Sequence, residues 1–267
     1  MTSLRDMRAA VIDMDGVLWE GERPLPGLIE FFAALRKRQI RFVLATNNAS
    51  RTPEQYIDKL ARMGVSVTVD EIFTSALATA LYLRERSPSG GRIFAIGEDG
   101  LTRALSGAGF TLCELYQNGA NYVVVGMDRG LSWDKLATAT LNIRAGATFV
   151  GTNPDLTLPT EHGITHGNGA ILAALQAATG IAPVVIGKPE PTMYQQALRR
   201  LQSDPALTVG IGDRLETDIL GAVRAGLPSV LVLSGVSRRA DLETITYRPT
   251  WVLENIIEVT RELLGNL

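Results

Sequence analysis

Five short apolar runs, each ending in polar residues, constrain this chain more than any other feature. The first, Arg8-Ala9-Ala10-Val11-Ile12, ends at Asp13. It does not alternate with polar residues, so it reads as a strand buried on both faces of a parallel sheet. Phe42-Val43-Leu44-Ala45 ends at Thr46-Asn47-Asn48, Val184-Val185-Ile186 at Gly187-Lys188, Leu207-Thr208-Val209-Gly210-Ile211 at Gly212-Asp213, and Ser229-Val230-Leu231-Val232-Leu233 at Ser234-Gly235. Helical stretches lie between them. Leu28, Ile29, Phe31, Phe32 and Leu35 have helical spacing, and Thr52-Pro53-Glu54-Gln55 opens another helix with a capping residue and a first-turn proline. Two more are predicted over about 191–201 and 217–225, the latter stopped by Gly226. Strands alternating with helices imply an α/β layered fold with a parallel sheet, and such sheets bind ligands beyond the carboxyl ends of their strands.

Between the second and third runs lies a block with its own βα rhythm. Its candidate strands cover 92–96, 110–113, 122–125 and 148–150, with helices near 99–107, 133–145 and 169–179. The block, 79–183, is expected to be a second domain inserted into a first made of 1–78 and 184–267. Apolar residues make up 46% and charged residues 20%, enough for buried cores. The net charge of −2 gives no basic excess, which argues against nucleic acid or an anionic membrane as partner. The single cysteine, Cys113, cannot form an internal disulfide and is expected to be a buried packing residue. The first eight residues do not read as a signal peptide, and no segment approaches the roughly 20 apolar residues of a membrane helix. The expected compartment is cytoplasmic.

The chemistry concentrates at the ends of the runs. In Asp13-Met14-Asp15-Gly16, residues two apart on an extended chain point the same way, so two carboxylates leave the strand together. Like charges about 4 Å apart are costly unless a cation lies between them, and a hard divalent ion such as Mg²⁺ suits oxygen ligands. In isolation an Asp-rich turn, or the metal-binding Asp-x-Asp of a nucleotide-sugar transferase, would read the same way. Gly212-Asp213 repeats the pattern, with Asp218 following near a helix N-terminus, where it could equally cap that helix. Lys188 is pinned between Gly187 and Pro189, where a fixed ammonium could neutralise a carboxylate and hold a phosphate oxygen. Thr46 and the backbone of Asn47 could hydrogen-bond the same phosphate.

Taken in order, Asp13-x-Asp15-Gly16, Thr46-Asn47, Lys188 and Gly212-Asp213 with Asp218 resemble the haloacid dehalogenase-like (HAD) hydrolase superfamily over nearly the whole chain. The insertion resembles the large cap of its type IIA branch, as do Thr46-Asn47-Asn48, Gly151-Thr152-Asn153-Pro154-Asp155 and Leu233-Ser234-Gly235-Val236. That branch includes para-nitrophenylphosphatases, phosphoglycolate phosphatases and ribonucleotide monophosphatases. The resemblance implies a Rossmann-like parallel-sheet core with a large inserted α/β cap. It implies a Mg²⁺-dependent phosphatase in which Asp13 attacks phosphorus and Asp15 is the acid/base. Asp13, the Asp15 carbonyl and Asp213 would hold the metal, with Asp218 acting through water or orienting Lys188. The substrate would be a small phosphorylated metabolite: a nucleoside monophosphate, phosphoglycolate or a sugar phosphate. Cap-to-cap homodimers would be compatible with the branch.

Two further readings stand beside this one: a phosphotransferase or phosphomutase sharing the nucleophile, and a silent phosphate-ester-binding module. In the insertion, 152–155 (with Asn153 and Asp155 as cap contacts) and the 161–168 loop are candidates for reading the leaving group. His162 and His166 lack further ligands at metal-binding spacing and are expected at the surface or facing substrate. Trp19, Trp133 and Trp251 read as packing residues.

Overall fold

The computed structural model describes residues 3–160 and 163–265, so Glu161 and His162 of the histidine loop lie outside the described residues. The chain forms two compact units. The first comprises Met1–Thr46, Glu54–Phe73 and Lys188–Leu267; the second comprises Asn47–Pro53 and Thr74–Gly187.

The first unit is built on a six-stranded sheet in the order Trp251–Leu253, Ser229–Val232, Thr208–Gly212, Ala9–Ile12, Arg41–Thr46, Ile72–Thr74. Ala9–Ile12 lies in the middle with a parallel partner on each side, Ile12 in register with Ile211 and with Leu44. All four of its residues are buried, which is why the run is unbroken by polar residues. Helix Leu28–Lys37 turns Phe31, Phe32 and Leu35 inward. Phe32 meets Phe31 and Phe42 edge-on, at 5.9 and 5.4 Å between centroids. Helix Ile256–Leu264 packs against it and is capped by Asn255, which accepts from the backbone N–H groups of Ile257 and Glu258.

The second unit has a five-stranded parallel sheet in the order Val184–Val185, Thr148–Gly151, Tyr122–Val125, Gly91–Ile96, Phe110–Leu112. Phe94, Val123, Val125, Ile143, Phe149 and Leu172 form its core. Thr157–Thr160 and Gly163–His166 make an antiparallel hairpin beside it.

Several sequence expectations need correction. Val184–Val185 is not a strand of the first sheet: it pairs with Val150 and Gly151 in the second. Helix Ser75–Arg86, unread in the sequence, packs on helix Asp99–Gly107 and moves the entry into the second unit to Thr74 rather than 79. Its buried residues are Ser75, Ala76, Ala78, Thr79, Ala80 and Leu83, and all but Leu83 are too small or too polar to make an apolar period visible. Residues 47–53 and 184–187 likewise belong to the second unit. Trp133 is 82% exposed rather than packed in a core, whereas Trp19 is fully buried. Cys113 is half-buried at the border of the second core.

Because Phe31 is fully buried in the first core, Phe31→Ala is expected to cost about 3–5 kcal/mol in chemical denaturation. Ile29→Ala, on the exposed side of the same helix, should stay within about 0.5 kcal/mol.

Candidate active site

Three adjacent parallel strands end together. Asp13 follows Ile12, its N–H bonded to the Ile211 carbonyl at 2.8 Å. Asp213 follows the strand on one side, and Thr46, which is buried, ends the strand on the other. The register that keeps the apolar runs in the sheet therefore delivers the polar residues to one edge. Carboxylate oxygens of Asp13, Asp213 and Asp218 all lie within 4.8 Å of one another.

Lys188 reaches into this group. Its ammonium donates to Asp13 Oδ1 at 2.5 Å and to the Ala45 carbonyl at 3.0 Å, and pairs with Asp218 Oδ1 at 2.7 Å. Its side chain is only 3% exposed. Asp218 sits in a π-helical turn, Leu215–Ile219, a widened geometry often found at functional sites. That turn differs from the plain helix start expected there. It points Asp218 back toward the strand end, where Oδ2 accepts from the Arg214 N–H at 3.0 Å. The buried Tyr194 hydroxyl donates to the Asp218 carbonyl at 2.8 Å.

Asp213 is held by the loop after Ser229–Val232: its Oδ2 accepts from the Val236 N–H at 2.7 Å. A side chain on Gly235 would put its Cβ 2.0 Å from that oxygen, and one on Gly16, whose φ is +82°, would put it at 2.5 Å. Both positions thus need glycine for the loops to close over the carboxylate. Among the described residues, Asp213 Oδ1 is buried without a hydrogen-bond partner. Fully ionised, three carboxylates against one ammonium would leave two negative charges. An orphaned carboxylate oxygen in an all-oxygen cluster with that surplus fits a hard divalent cation.

The electrostatics follow from burial. Burial pushes the Asp13 carboxyl up, Lys188 pulls it down, and with Asp218 and Asp213 adding to burial the net shift is well upward. Burial lowers Lys188, but Asp13 and Asp218 outweigh it and hold the ammonium well above the usual lysine range. Asp213 is pushed up to about 7, by burial first and then by Asp218.

Asp15 stands apart from the cluster, exposed, with Oδ1 accepting from the indole N–H of buried Trp19 at 2.8 Å. This contact was missed in the sequence, where Trp19 read as packing alone. Asn47 falls in the second unit, one residue beyond Thr46. Its amide donates to Asp155 Oδ2 at 3.2 Å, and its carbonyl accepts from Ser75 at 2.6 Å. Asn153 also donates to Asp155 Oδ2, at 2.6 Å. His166 is exposed on the hairpin.

A family model described as haloacid dehalogenase-like hydrolase matches residues 10–111, and a second HAD-hydrolase-like model matches residues 185–259. An acid sugar phosphatase of Staphylococcus saprophyticus is 36% identical over 97% of this chain and 99% of its own length. The crystal structure of a 4-nitrophenylphosphatase from Thermotoga maritima superposes with a TM-score of 0.92 at 32% identity, covering 97% of this chain and 98% of the other. NagD from E. coli K-12 gives 0.87 at 34% identity, covering 94% and 97%. The chain belongs to the haloacid dehalogenase-like hydrolases, in the type IIA branch of phosphatases. Among its described residues no helix is long and apolar enough to cross a membrane.

The raised Asp213 sets a stability slope. Between pH 4 and 7 the folded carboxyl keeps a proton that the unfolded one gives up, so the metal-free fold loses stability as pH rises through that window. Thermal melts in EDTA should show this fall, and Asp213→Asn should make it shallower, the remainder coming from the raised Asp13 carboxyl.

Proposed function

We propose that the chain is a Mg²⁺-dependent phosphatase of small phosphomonoesters that works through an aspartyl-phosphate on Asp13. The observation that supports this most is the buried Asp13–Lys188–Asp218 ion pair set beside the unpartnered Asp213 oxygen. Asp13, Asp213 and the Asp15 carbonyl would hold Mg²⁺, which when bound offsets negative charge on the carboxylates and the transferring phosphoryl group.

This chain's own residues supply the rest. Asp13 is the nucleophile, and a covalent intermediate divides one hard displacement into two easier ones. Lys188 keeps Asp13 in place and is a fixed positive charge for a phosphate oxygen. Thr46 adds a hydroxyl beside it, and the Asn47 N–H a further donor. Asp15 gives a proton to the leaving alcohol as its bond to phosphorus breaks, then takes one from the water that attacks the aspartyl-phosphate. Asp218 orients Lys188.

Residues 79–183, extended to the borders of the second unit, act as a cap that reads the leaving group, with Asn153 and Asp155 contacting it. A carboxylate steered by two amides suits a hydroxyl-rich partner. With relatives named acid sugar phosphatases, phosphorylated sugars are the favoured substrate class.

Purified protein should release phosphate from para-nitrophenyl phosphate and from sugar phosphates with Mg²⁺ and lose this in EDTA. Asp13→Asn should lower kcat at least about 10³-fold and leave no acid-stable phosphoenzyme; turnover surviving that change would sink the assignment. Added Mg²⁺ should raise Tm more at pH 8 than at pH 5, because protons compete for Asp213 and Asp13, and Asp213→Asn should shrink the difference.

A further inference from the structure

We propose that Trp19 is the positioning residue for Asp15, fixing one carboxyl oxygen as an acceptor and leaving the other, Oδ2, to carry the transferred proton. The inference rests on the reading of Asp15 as the acid/base and goes one residue deeper.

Asp15 is exposed, so its short side chain would be free to swing among rotamers. The loop works against that. Gly16 N–H bonds the Trp19 carbonyl at 2.8 Å and Leu18 N–H bonds the Met14 carbonyl at 2.8 Å, folding the chain back on itself. That fold-back brings the buried indole under the carboxylate, with Nε1 to Oδ1 at 2.8 Å. The indole cannot drift. It stacks on Tyr56 at 6.5 Å between centroids, and the Lys59 ammonium lies 4.4 Å from its ring centre. Lys59 is itself buried and tied to the Gly21 carbonyl at 2.7 Å.

An indole N–H donates and never accepts. Oδ1 is therefore committed as an acceptor whatever the charge on Asp15, and a proton on this carboxyl sits on Oδ2. A cation over the ring face draws on its electron density and makes the N–H a better donor. In the first half-reaction the Oδ2 proton passes to the leaving oxygen as the phosphorus–oxygen bond breaks and the bond to Asp13 forms. In the second, Oδ2 takes a proton from water as its oxygen bonds phosphorus and the Asp13–phosphorus bond breaks. A buried tryptophan needs some acceptor for its N–H, and a backbone carbonyl would serve. Here that acceptor is the exposed catalytic side chain, which couples a rigid core to the moving proton.

The test compares a substrate whose leaving group needs protonation, glycerol phosphate, with one that does not, para-nitrophenyl phosphate, using the full chain with Mg²⁺. Position 19 is changed to 3-benzothienylalanine, which keeps the ring shape but replaces N–H by sulfur, and separately by Trp19→Phe. Lys59→Met is the third variant. The benzothienyl protein should lose about tenfold in kcat/KM on glycerol phosphate, change less than about twofold in kcat/KM on para-nitrophenyl phosphate, and keep its Tm, because kcat/KM stops at the phosphoenzyme and leaves out the hydrolysis that both substrates share. Trp19→Phe should show the same selectivity with a lower Tm, and Lys59→Met a smaller loss of the same kind. An equal loss of kcat/KM on both substrates, or none on either, overturns the proposal, and the benzothienyl protein decides the matter if Trp19→Phe does not fold. Asp15→Asn is the reference. If it shows no leaving-group-dependent loss, the acid/base reading fails and the role of Trp19 with it. If it does and the benzothienyl protein does not, Trp19 alone is refuted.

Discussion

The burial of one ammonium governs the arrangement of the first unit. Lys188 is almost wholly removed from water, a position that costs several kcal/mol unless the charge is matched. An ammonium has three donors, and three oxygens surround this one: Asp13 Oδ1, Asp218 Oδ1 and the Ala45 carbonyl. Those oxygens come from three separated parts of the chain, so the ion pair holds only if the sheet register and the π-helical turn are both correct. The surplus of acid that remains is structural in origin. Fully ionised, it would place two negative charges at the edge where three parallel strands end.

Glycine makes that placement feasible. The Asp213 carboxylate is enclosed by the loops at Gly16 and Gly235, neither of which leaves room for a Cβ. Close packing takes water away from Asp213, and loss of water raises its proton affinity to about 7. A divalent cation would relieve the same carboxylate, in competition with the proton.

Much of this was legible in the sequence because it depends on short local rules. Unbroken apolar runs mark strands of a parallel sheet, and Asp13, Thr46, Lys188 and Asp213 were visible as the polar residues at or just beyond the ends of such runs. The order of those residues along the chain carried the family. What escaped has equally plain reasons. Helix Ser75–Arg86 buries small residues, so it has no apolar period to read. Val184–Val185 has the look of a first-sheet strand, and only its partner, Thr148–Gly151, assigns it elsewhere. Strand Trp251–Leu253 is three half-buried residues long. The indole of Trp19 counted as bulk, because its N–H finds Asp15 through a folded-back loop that four residues of sequence do not announce. The side chain of Asn47 turns to Asp155, more than a hundred residues away, which no local rule could reach.

The first unit is assembled from three stretches of chain separated by the second. Seen from the ribosome, this imposes a schedule. The Ala9–Ile12 strand and Arg41–Thr46 emerge early, while Thr208–Gly212, which flanks the central strand on its other side, emerges only after the whole second unit. For most of synthesis an apolar strand edge and the Asp13 carboxylate therefore wait without their partners, a non-local closure of the kind that folds slowly and invites aggregation. The second unit, whose sheet draws on the single stretch Gly91–Val185, can form while that edge is still open. Completing the first sheet is then a late event, and the arrival of Lys188 and Asp213 closes the buried acidic cluster in the same step.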